Sequence, residues 1–480
     1  MSGMFGIVSA SDCVETLFYG IDYHTHLGTQ FAGMAVLGET FRRQIHDVSR
    51  SQFKSKFSDD YKRFKGNMGI GVISAVDEQP IYQNTKFGEL CIATDGFVEN
   101  AESLAIGLRE RGVSFSEVSK RGFNLTELIA KLINQGDSLR DGIEKMFSAI
   151  EGSTSVLVLS REGIYAARDR FGYTTLALGR RGDDWAVSSE TCAFINNDFE
   201  PVRHMEPGEI VLMAKDGVSQ IRAKNRLKQI CSFLWIYTGF PASCFDGRSV
   251  EEVREESGRC LARRDADIDI DVVSGVPDSG IGHALGYAME SGRPYRRPLV
   301  KYTPGYGRSY TPPSQDTRDL VAKMKLIPIK KIIEGRRIVV CDDSIVRGTQ
   351  LKNFTVKKLW DNGARQVHVR IACPPLMFPC KFIFSTRSID ELAARRAIRQ
   401  LEGRDLQDVS AYIDHTTPQY ENMVGLLARE MGVTSLKYQT VEDMVGAVGL
   451  PRESLCTYCW TGECPASPPA PLACNKKGGL

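Results

Sequence analysis

Along the first half of the chain, short apolar runs at 5–8, 68–76, 90–92, 155–160, 163–167, 175–178, 185–187 and 209–213 alternate with polar turns. Runs of this length bounded by turn residues predict strands. Two of the intervening stretches, 101–111 and 126–134, repeat their apolar residues at helical spacing instead. Many short strands with few helices predict a sheet-on-sheet sandwich covered by helices, ending near Gln229. From Ser249 the rhythm changes: helix 250–265, strand 268–274, helix 281–291, strand 338–341, helix 349–362 and strand 367–371 follow in turn. Strands alternating with helices predict an α/β domain with a mainly parallel sheet. The stretch 304–314, rich in Gly, Pro, Tyr and Ser, reads as a long loop, and the Pro-rich tail from Ala466 as extended or disordered.

Composition alters this picture little. A chain of 480 residues is too long for one ordinary core, and 42% hydrophobic with 25% charged residues is enough to bury two. A net charge of +2 argues against a general nucleic-acid binder but leaves room for a local anion site. The start lacks a secretory pattern, and no run approaches the roughly 18 apolar residues of a membrane span. A cytoplasmic protein, with no membrane partner, is expected. Its 13 cysteines then point to metal, catalysis or burial rather than to a disulfide framework.

Candidate chemistry concentrates at Val339-Val-Cys-Asp-Asp-Ser-Ile-Val-Arg-Gly-Thr349. The strand ends in Asp342 and Asp343, and a Gly-containing loop leads into a helix start. In an open parallel sheet, ligands bind beyond the carboxyl ends of the strands. Unpaired N–H groups at a helix start suit a phosphate, and the Ser344 and Thr349 hydroxyls add donors. Two carboxylates aimed at a phosphate would repel it, so they face sugar hydroxyls instead. A strand–loop–helix corner with solvated acids is the plainer alternative. A second donor set for a pyrophosphate is available at Gly275-Val-Pro-Asp-Ser-Gly280 with Lys301, a stretch that in isolation is equally well an ordinary turn.

The eleven-residue loop resembles the phosphoribosyl pyrophosphate (PRPP) motif of type I phosphoribosyltransferases. The chain as a whole resembles glutamine PRPP amidotransferase (amidophosphoribosyltransferase). The likeness is carried by Val273-Ser-Gly-Val-Pro-Asp-Ser-Gly280, Pro313-Ser-Gln315, Arg318-Asp-Leu-Val-Ala-Lys-Met-Lys-Leu326, the diacid loop and Cys373-Pro-Pro-Leu-Met-Phe-Pro-Cys380. In the first half, Tyr19-Gly20, His26, Ala32-Gly33, Ser188-Ser-Glu-Thr-Cys-Ala-Phe194 and Glu206-Pro-Gly-Glu-Ile210 match as well. The resemblance implies an αββα N-terminal-nucleophile-like sandwich over 5–230, an α/β type I phosphoribosyltransferase domain over 231–465, and a disordered tail over 466–480. It also implies that ammonia released from glutamine in the first domain displaces pyrophosphate from C1 of Mg2+-bound PRPP in the second, giving phosphoribosylamine. PRPP contacts fall on Asp342, Asp343, Ser344, Val346, Arg347, Gly348 and Thr349, and on Pro277, Asp278, Ser279 and Lys301; Asp342 and Asp343 serve Mg2+. Segment 305–326 resembles a loop that closes over PRPP, where Arg318, Lys323 and Lys325 face the leaving pyrophosphate or form a solvated basic face.

One departure stands out. The family's nucleophile is an amino-terminal Cys followed by Gly-Ile or Gly-Val, and this chain reads Phe5-Gly-Ile-Val8. A Phe side chain offers no nucleophilic atom. The family's Arg after His26 is Leu27, its substrate-clamping Arg is Ser74, its oxyanion Asn is Asp95 ahead of Gly96, and its amine-holding Asp is Leu125. An anionic Asp opposes the oxyanion that Asn assists. The expectation is a first domain that does not hydrolyse glutamine. In the second half, Tyr302–Tyr310 also departs from the family pattern, which puts the nitrogen donor in question.

Some family members carry an iron–sulfur cluster, and Cys231, Cys380, Cys456 and Cys459 stand at the matching places. Four thiolates suit [4Fe–4S] and, by ligand count, zinc; four buried thiols are the plain alternative. A His24/His26 pair is read as structural. Three functions follow: a transferase using ammonia or a small amine, a non-catalytic paralogue that binds PRPP or nucleotide and pairs with an intact homologue, or a nucleobase phosphoribosyltransferase. Purine nucleotides and a homo-dimer or homo-tetramer are the partners the resemblance implies.

Overall fold

Phe5 and Ile7 point to one side of the first strand and Met4 and Val8 to the other, and both sides are buried. A strand apolar on both faces belongs in the middle of a layered structure. The computed structural model describes residues 2–117, 119, 122–265, 267–302, 326–349, 351–383, 385, 386 and 388–463. In it, Gly3–Val8 is the centre of a seven-stranded antiparallel sheet, flanked by Met68–Ser74 and Asp184–Ser188. A six-stranded antiparallel sheet lies against it, with Gly88–Val98 and Gly152–Leu159 among its strands. Met4, Val8, Ile70, Val72, Leu157, Leu159 and Ala166 fill the space between the two sheets. Helix Val14–Asp22 covers the outer face of the first sheet through Leu17 and Ile21. Helices Leu125–Ile133 and Leu139–Ala149 cover the second. This is the expected αββα sandwich.

The second half is built on four parallel strands in the order Val272–Gly275, Arg337–Asp342, Gln366–Ile371, Ser435–Tyr438. Helix Ile281–Ser291 packs on it, and helix Val250–Arg263 packs closely on that helix. Gly258 and Gly286 permit the approach: a Cβ there would lie 1.9 Å from the His283 carbonyl oxygen and 1.8 Å from that of Glu255. The expected α/β architecture is present. The two halves are tied by a short parallel pairing of Ile230–Cys231 with Leu455–Cys456.

Three local expectations need correction. The first strand begins at Gly3 rather than Phe5, because Gly3 and Met4 pair with Ile73 and Val72. The strand expected from 268 begins at Val272; before it, Asp269 and Asp271 are taken up by ion pairs to Arg337. The helix expected over 349–362 is divided, with a π-helical segment Leu351–Val356 leading into the α-helix Lys357–Asp361. The basic residues Arg318, Lys323 and Lys325 and the tail 466–480 lie outside the described residues. Among the described residues no helix is long and apolar enough to cross a membrane.

Candidate functional site

At the carboxyl end of strand Arg337–Asp342, Asp342 and Asp343 are both buried. Asp342 Oδ1 accepts from the Ser279 hydroxyl at 2.9 Å and from the Asp343 N–H at 3.0 Å. Burial, and then the adjacent Asp343, push the Asp342 carboxyl well above the ordinary carboxylate range. The Ser344 hydroxyl donates to Asp343 Oδ2 at 2.7 Å. The neighbouring turn closes on the same point. Val276 N–H donates to the Cys341 carbonyl at 2.9 Å, and a Cβ on Gly280 would lie 2.1 Å from that oxygen, so only Gly fits. Lys301 Nζ is 2.7 Å from Asp278 Oδ2. Gly348, at φ 79°, supplies the left-handed turn into the following helix.

These residues line one cavity of about 1110 Å³. It takes in Pro277, Asp278, Ser279, Lys301, Asp342, Asp343, Ser344, Val346, Arg347 and Gly348, so of the proposed PRPP contacts only Thr349 is outside the lining. Sequence reasoning missed what holds the loop from behind. The Ala393 N–H donates to the Val346 carbonyl at 2.7 Å, and Arg396 donates to the Arg347 carbonyl at 2.8 Å and to that of Glu391 at 3.1 Å. Arg347 is ion-paired with Glu391. Two loop carbonyls are thereby engaged on one side, and a peptide whose carbonyl is held one way presents its N–H the other. Chemically, the cavity offers donors, a cation and a diacid to a ligand carrying both phosphate and hydroxyl groups.

The first half places Phe5 in mid-strand, paired with Gly71 and Ser188 and fully buried. Its ring fills space that Gly20 leaves open: a Cβ on Gly20 would lie 2.4 Å from it. Ser2 N–H donates to Asp95 Oδ1 at 2.6 Å, the Ala75 N–H donates to the Ser2 hydroxyl at 3.4 Å, and Met4 N–H donates to the Ser189 hydroxyl at 3.0 Å. Burial pushes the Asp95 carboxyl up to about 6, against the lowering effect of the Ser2 N–H. Ser74, Gly96 and Leu125 do converge, but with Ser2 they enclose a cavity of only about 30 Å³, roughly the volume share of one water molecule. Leu27 is elsewhere, on the wall of the large cavity.

Cys231, Cys380, Cys456 and Cys459 share a small cavity of about 10 Å³ with Phe233, Phe382 and Trp460. All described cysteines are thiols rather than disulfides. Cys231 faces Cys456 across the parallel pairing, and the Phe382 and Ile383 N–H groups approach Cys380 Sγ at 3.4 and 3.5 Å. The Cys459 thiol is held well above its usual range by its contact with Cys380, by burial, and by Cys456 and Cys231. Among the described residues no set of three or more His, Cys, Asp or Glu stands ready-made to hold a metal ion. The four cysteines are thus gathered around one small cavity.

A model of the glutamine amidotransferase domain matches residues 67–196. The amidophosphoribosyltransferase of Methanocaldococcus jannaschii is 31% identical over 97% of this chain and 98% of its own, and that of Bacillus subtilis is 31% identical over 96% and 94%. Among solved structures, the glutamine PRPP amidotransferase of B. subtilis complexed with ADP and GMP superposes with a TM-score of 0.82 at 29% identity, covering 96% of this chain and 97% of that one. With a likeness of this depth over nearly its whole length, and with the sandwich and the phosphoribosyltransferase sheet both in place, the chain belongs to the amidophosphoribosyltransferase family.

Proposed function

We propose that this chain binds Mg2+-PRPP at the diacid loop and displaces pyrophosphate from C1 with ammonia or a small amine, giving phosphoribosylamine or a relative, without hydrolysing glutamine. On this reading residues 5–230 are an inactive glutaminase-like domain and 231–465 the transferase. The observation that carries it is a contrast. The cavity around Asp342 and Asp343 is open at about 1110 Å³, whereas the pocket at Ser74 and Leu125, with Ser2 in its wall, holds only about 30 Å³.

The described residues divide the work. Backbone N–H groups of 344–348 and the Ser344 hydroxyl bind the 5-phosphate. Asp342 and Asp343 orient the ribose hydroxyls and fit a hard cation, having carboxylate oxygens only. Bound there, Mg2+ would offset charge on the departing pyrophosphate. Pro277, Asp278, Ser279 and Lys301 form the second donor set, facing that pyrophosphate.

The four cysteines fit a [4Fe–4S] cluster by donor type, and N–H groups directed at Cys380 Sγ are what a charged thiolate needs. Assembly requires the thiols to lose their protons, as metal ligation by cysteine does. A cluster so placed would staple the carboxyl-terminal segment to the junction rather than take part in the transfer. Purine nucleotides as ligands are suggested by the B. subtilis relative, whose structure carries ADP and GMP, and a homo-dimer or homo-tetramer is what the family resemblance implies. The competing reading, a paralogue that binds PRPP without turnover and partners an intact homologue, is favoured by the altered stretch after Lys301.

Pyrophosphate release from Mg2+-PRPP, followed with glutamine, ammonium or a nucleobase, separates the readings. Ammonium-dependent turnover is expected. Glutamine-dependent turnover by the pure protein refutes the inactive-glutaminase reading, and binding without turnover supports the paralogue.

A further inference from the structure

The large cavity does not end at the diacid loop. It runs on to the first half of the chain, where His26, Leu27 and Thr29 form its wall together with Phe240 and Pro241 of the junction. The His26 Nε2 is 2.8 Å from Glu190 Oε1. Glu190 is almost wholly buried, and its other oxygen accepts from the Ser243 hydroxyl at 2.6 Å and from the Phe240 N–H at 3.0 Å. Burial opposes its ionisation, but His26 and Ser243 outweigh that and hold the carboxyl below the usual range. The Phe240 ring lies 5.3 Å from the imidazole. His24, the other imidazole near His26, is fully buried and committed to the Gly20 carbonyl and the Ser188 hydroxyl.

Arg254 joins this end of the cavity to the other. Its buried guanidinium donates to the carbonyls of Trp235, Tyr237 and Gly239, fixing the wall between them, and both Glu190 and Asp343 act on its charge. A histidine backed by a fixed carboxylate therefore shares one cavity with the diacid loop.

A transferase that lacks its own glutaminase meets its nitrogen as ammonium, which has no lone pair to give. We propose that His26, oriented by Glu190, accepts a proton from the incoming ammonium or primary ammonium group, an inference that rests on the transferase reading above. One N–H bond breaks and its electron pair stays on nitrogen, while the proton passes to the imidazole. That pair forms the bond to C1 as the C1–O bond breaks, and pyrophosphate leaves with the electrons of that bond. Glu190 offsets the positive charge the ring takes up, as the acid of a His–carboxylate pair does.

The test uses the full chain with Mg2+-PRPP and ammonium chloride, at neutral pH and at an alkaline pH where free ammonia predominates. For H26N, kcat/KM for ammonium at neutral pH is expected to fall by about 10²–10⁴-fold, the usual contribution of a positioned base. At alkaline pH the loss should shrink, because ammonia brings its own lone pair, and the Kd for PRPP should stay as in the wild type. E190Q should show a smaller loss with the same pH dependence, and H26Q replaces H26N if that variant does not fold. Wild-type rates in H26N, an equal loss at both pH values, or a parallel loss of PRPP affinity would overturn the role of His26 alone. A wild type that binds PRPP but releases no pyrophosphate at either pH overturns the transferase reading and this inference together.

Discussion

The backbone N–H of Ser2 donates to the side chain of Asp95 at 2.6 Å. In the family pattern Asp95 stands where an oxyanion-binding Asn is found, and Ser2 stands ahead of the residue that aligns with the nucleophile. The bond joins two departures that look unrelated in sequence. An Asp accepts from a backbone N–H but offers a developing oxyanion nothing, and a chain continuing through Phe5 needs a partner for the N–H groups it brings into the pocket. On the proposed reading, the replaced nucleophile and the replaced oxyanion donor are therefore linked through one hydrogen bond.

That arrangement has a pH signature. Burial raises the Asp95 carboxyl from 3.8 to about 6, so the folded state holds a proton that the unfolded chain has released. Between pH 4 and 6 the folded state binds more protons, and stability falls as pH rises; above about 6 the full cost, about 3 kcal/mol, is present. Asp95→Asn removes the titration. In urea unfolding, wild type should lose about 2 kcal/mol relative to D95N between pH 4 and pH 7, the unfolded carboxyl being already half ionised at pH 4. A difference that does not vary with pH rules out the assignment.

If the first domain is inactive as proposed, a thiol at position 5 alone should not give it glutaminase activity. A chain shortened to begin at position 5 and carrying Phe5→Cys should form no glutamate from glutamine, because Leu27, Ser74, Asp95 and Leu125 still lack the groups that clamp and polarise the substrate. Removing Met4, fully buried between the sheets, should also lower stability by about 2–5 kcal/mol. Glutamate release measured at saturating glutamine decides the matter: any turnover above that of unmodified protein contradicts it.

The diacid loop was legible because its chemistry is written in consecutive residues, one strand end running into one helix start. The sandwich was legible from runs such as 68–76 and 155–160, whose buried strands keep a periodicity of two or none. What escaped is built from pairings distant in sequence. Arg396 reaches the Arg347 carbonyl from a helix that no phosphate motif includes, and nothing in the spacing of His26 and Glu190 announces a contact. The π-helical turn at Leu351–Val356 escaped for another reason: an apolar pattern near helical spacing does not separate a wide turn from an ordinary one.

Protein purified without oxygen should be brown and contain iron and inorganic sulfide in equal amounts. Cys380→Ser removes a thiol that two backbone N–H groups approach, and Cys459→Ser one that contacts it. Either change should abolish the colour and the iron, and free the carboxyl-terminal segment for proteolysis. Wild-type protein that is colourless and iron-free under those conditions removes the cluster; zinc in its place would favour the tetrahedral alternative.

Arg396 offers a test of the loop that leaves the reacting groups untouched. Its guanidinium holds the carbonyls of Arg347 and Glu391 at 2.8 and 3.1 Å, while the Ala393 N–H holds that of Val346 at 2.7 Å. Arg396→Ala removes the first two bonds and keeps the third, so the loop should loosen rather than unfold. Two hydrogen bonds at about 0.5–1.5 kcal/mol each correspond to a rise in the Kd for PRPP of roughly 5- to 150-fold. The Arg347–Glu391 ion pair is the confounding contact, since Glu391 is held at its carbonyl by the same guanidinium. Glu391→Gln separates the two effects: it leaves the carbonyl contact in place and releases Arg347 toward the phosphate, and so should hold or improve affinity. Isothermal titration with Mg2+-PRPP reads both, and equal affinity in R396A and wild type means that the loop keeps its N–H groups directed without this clamp.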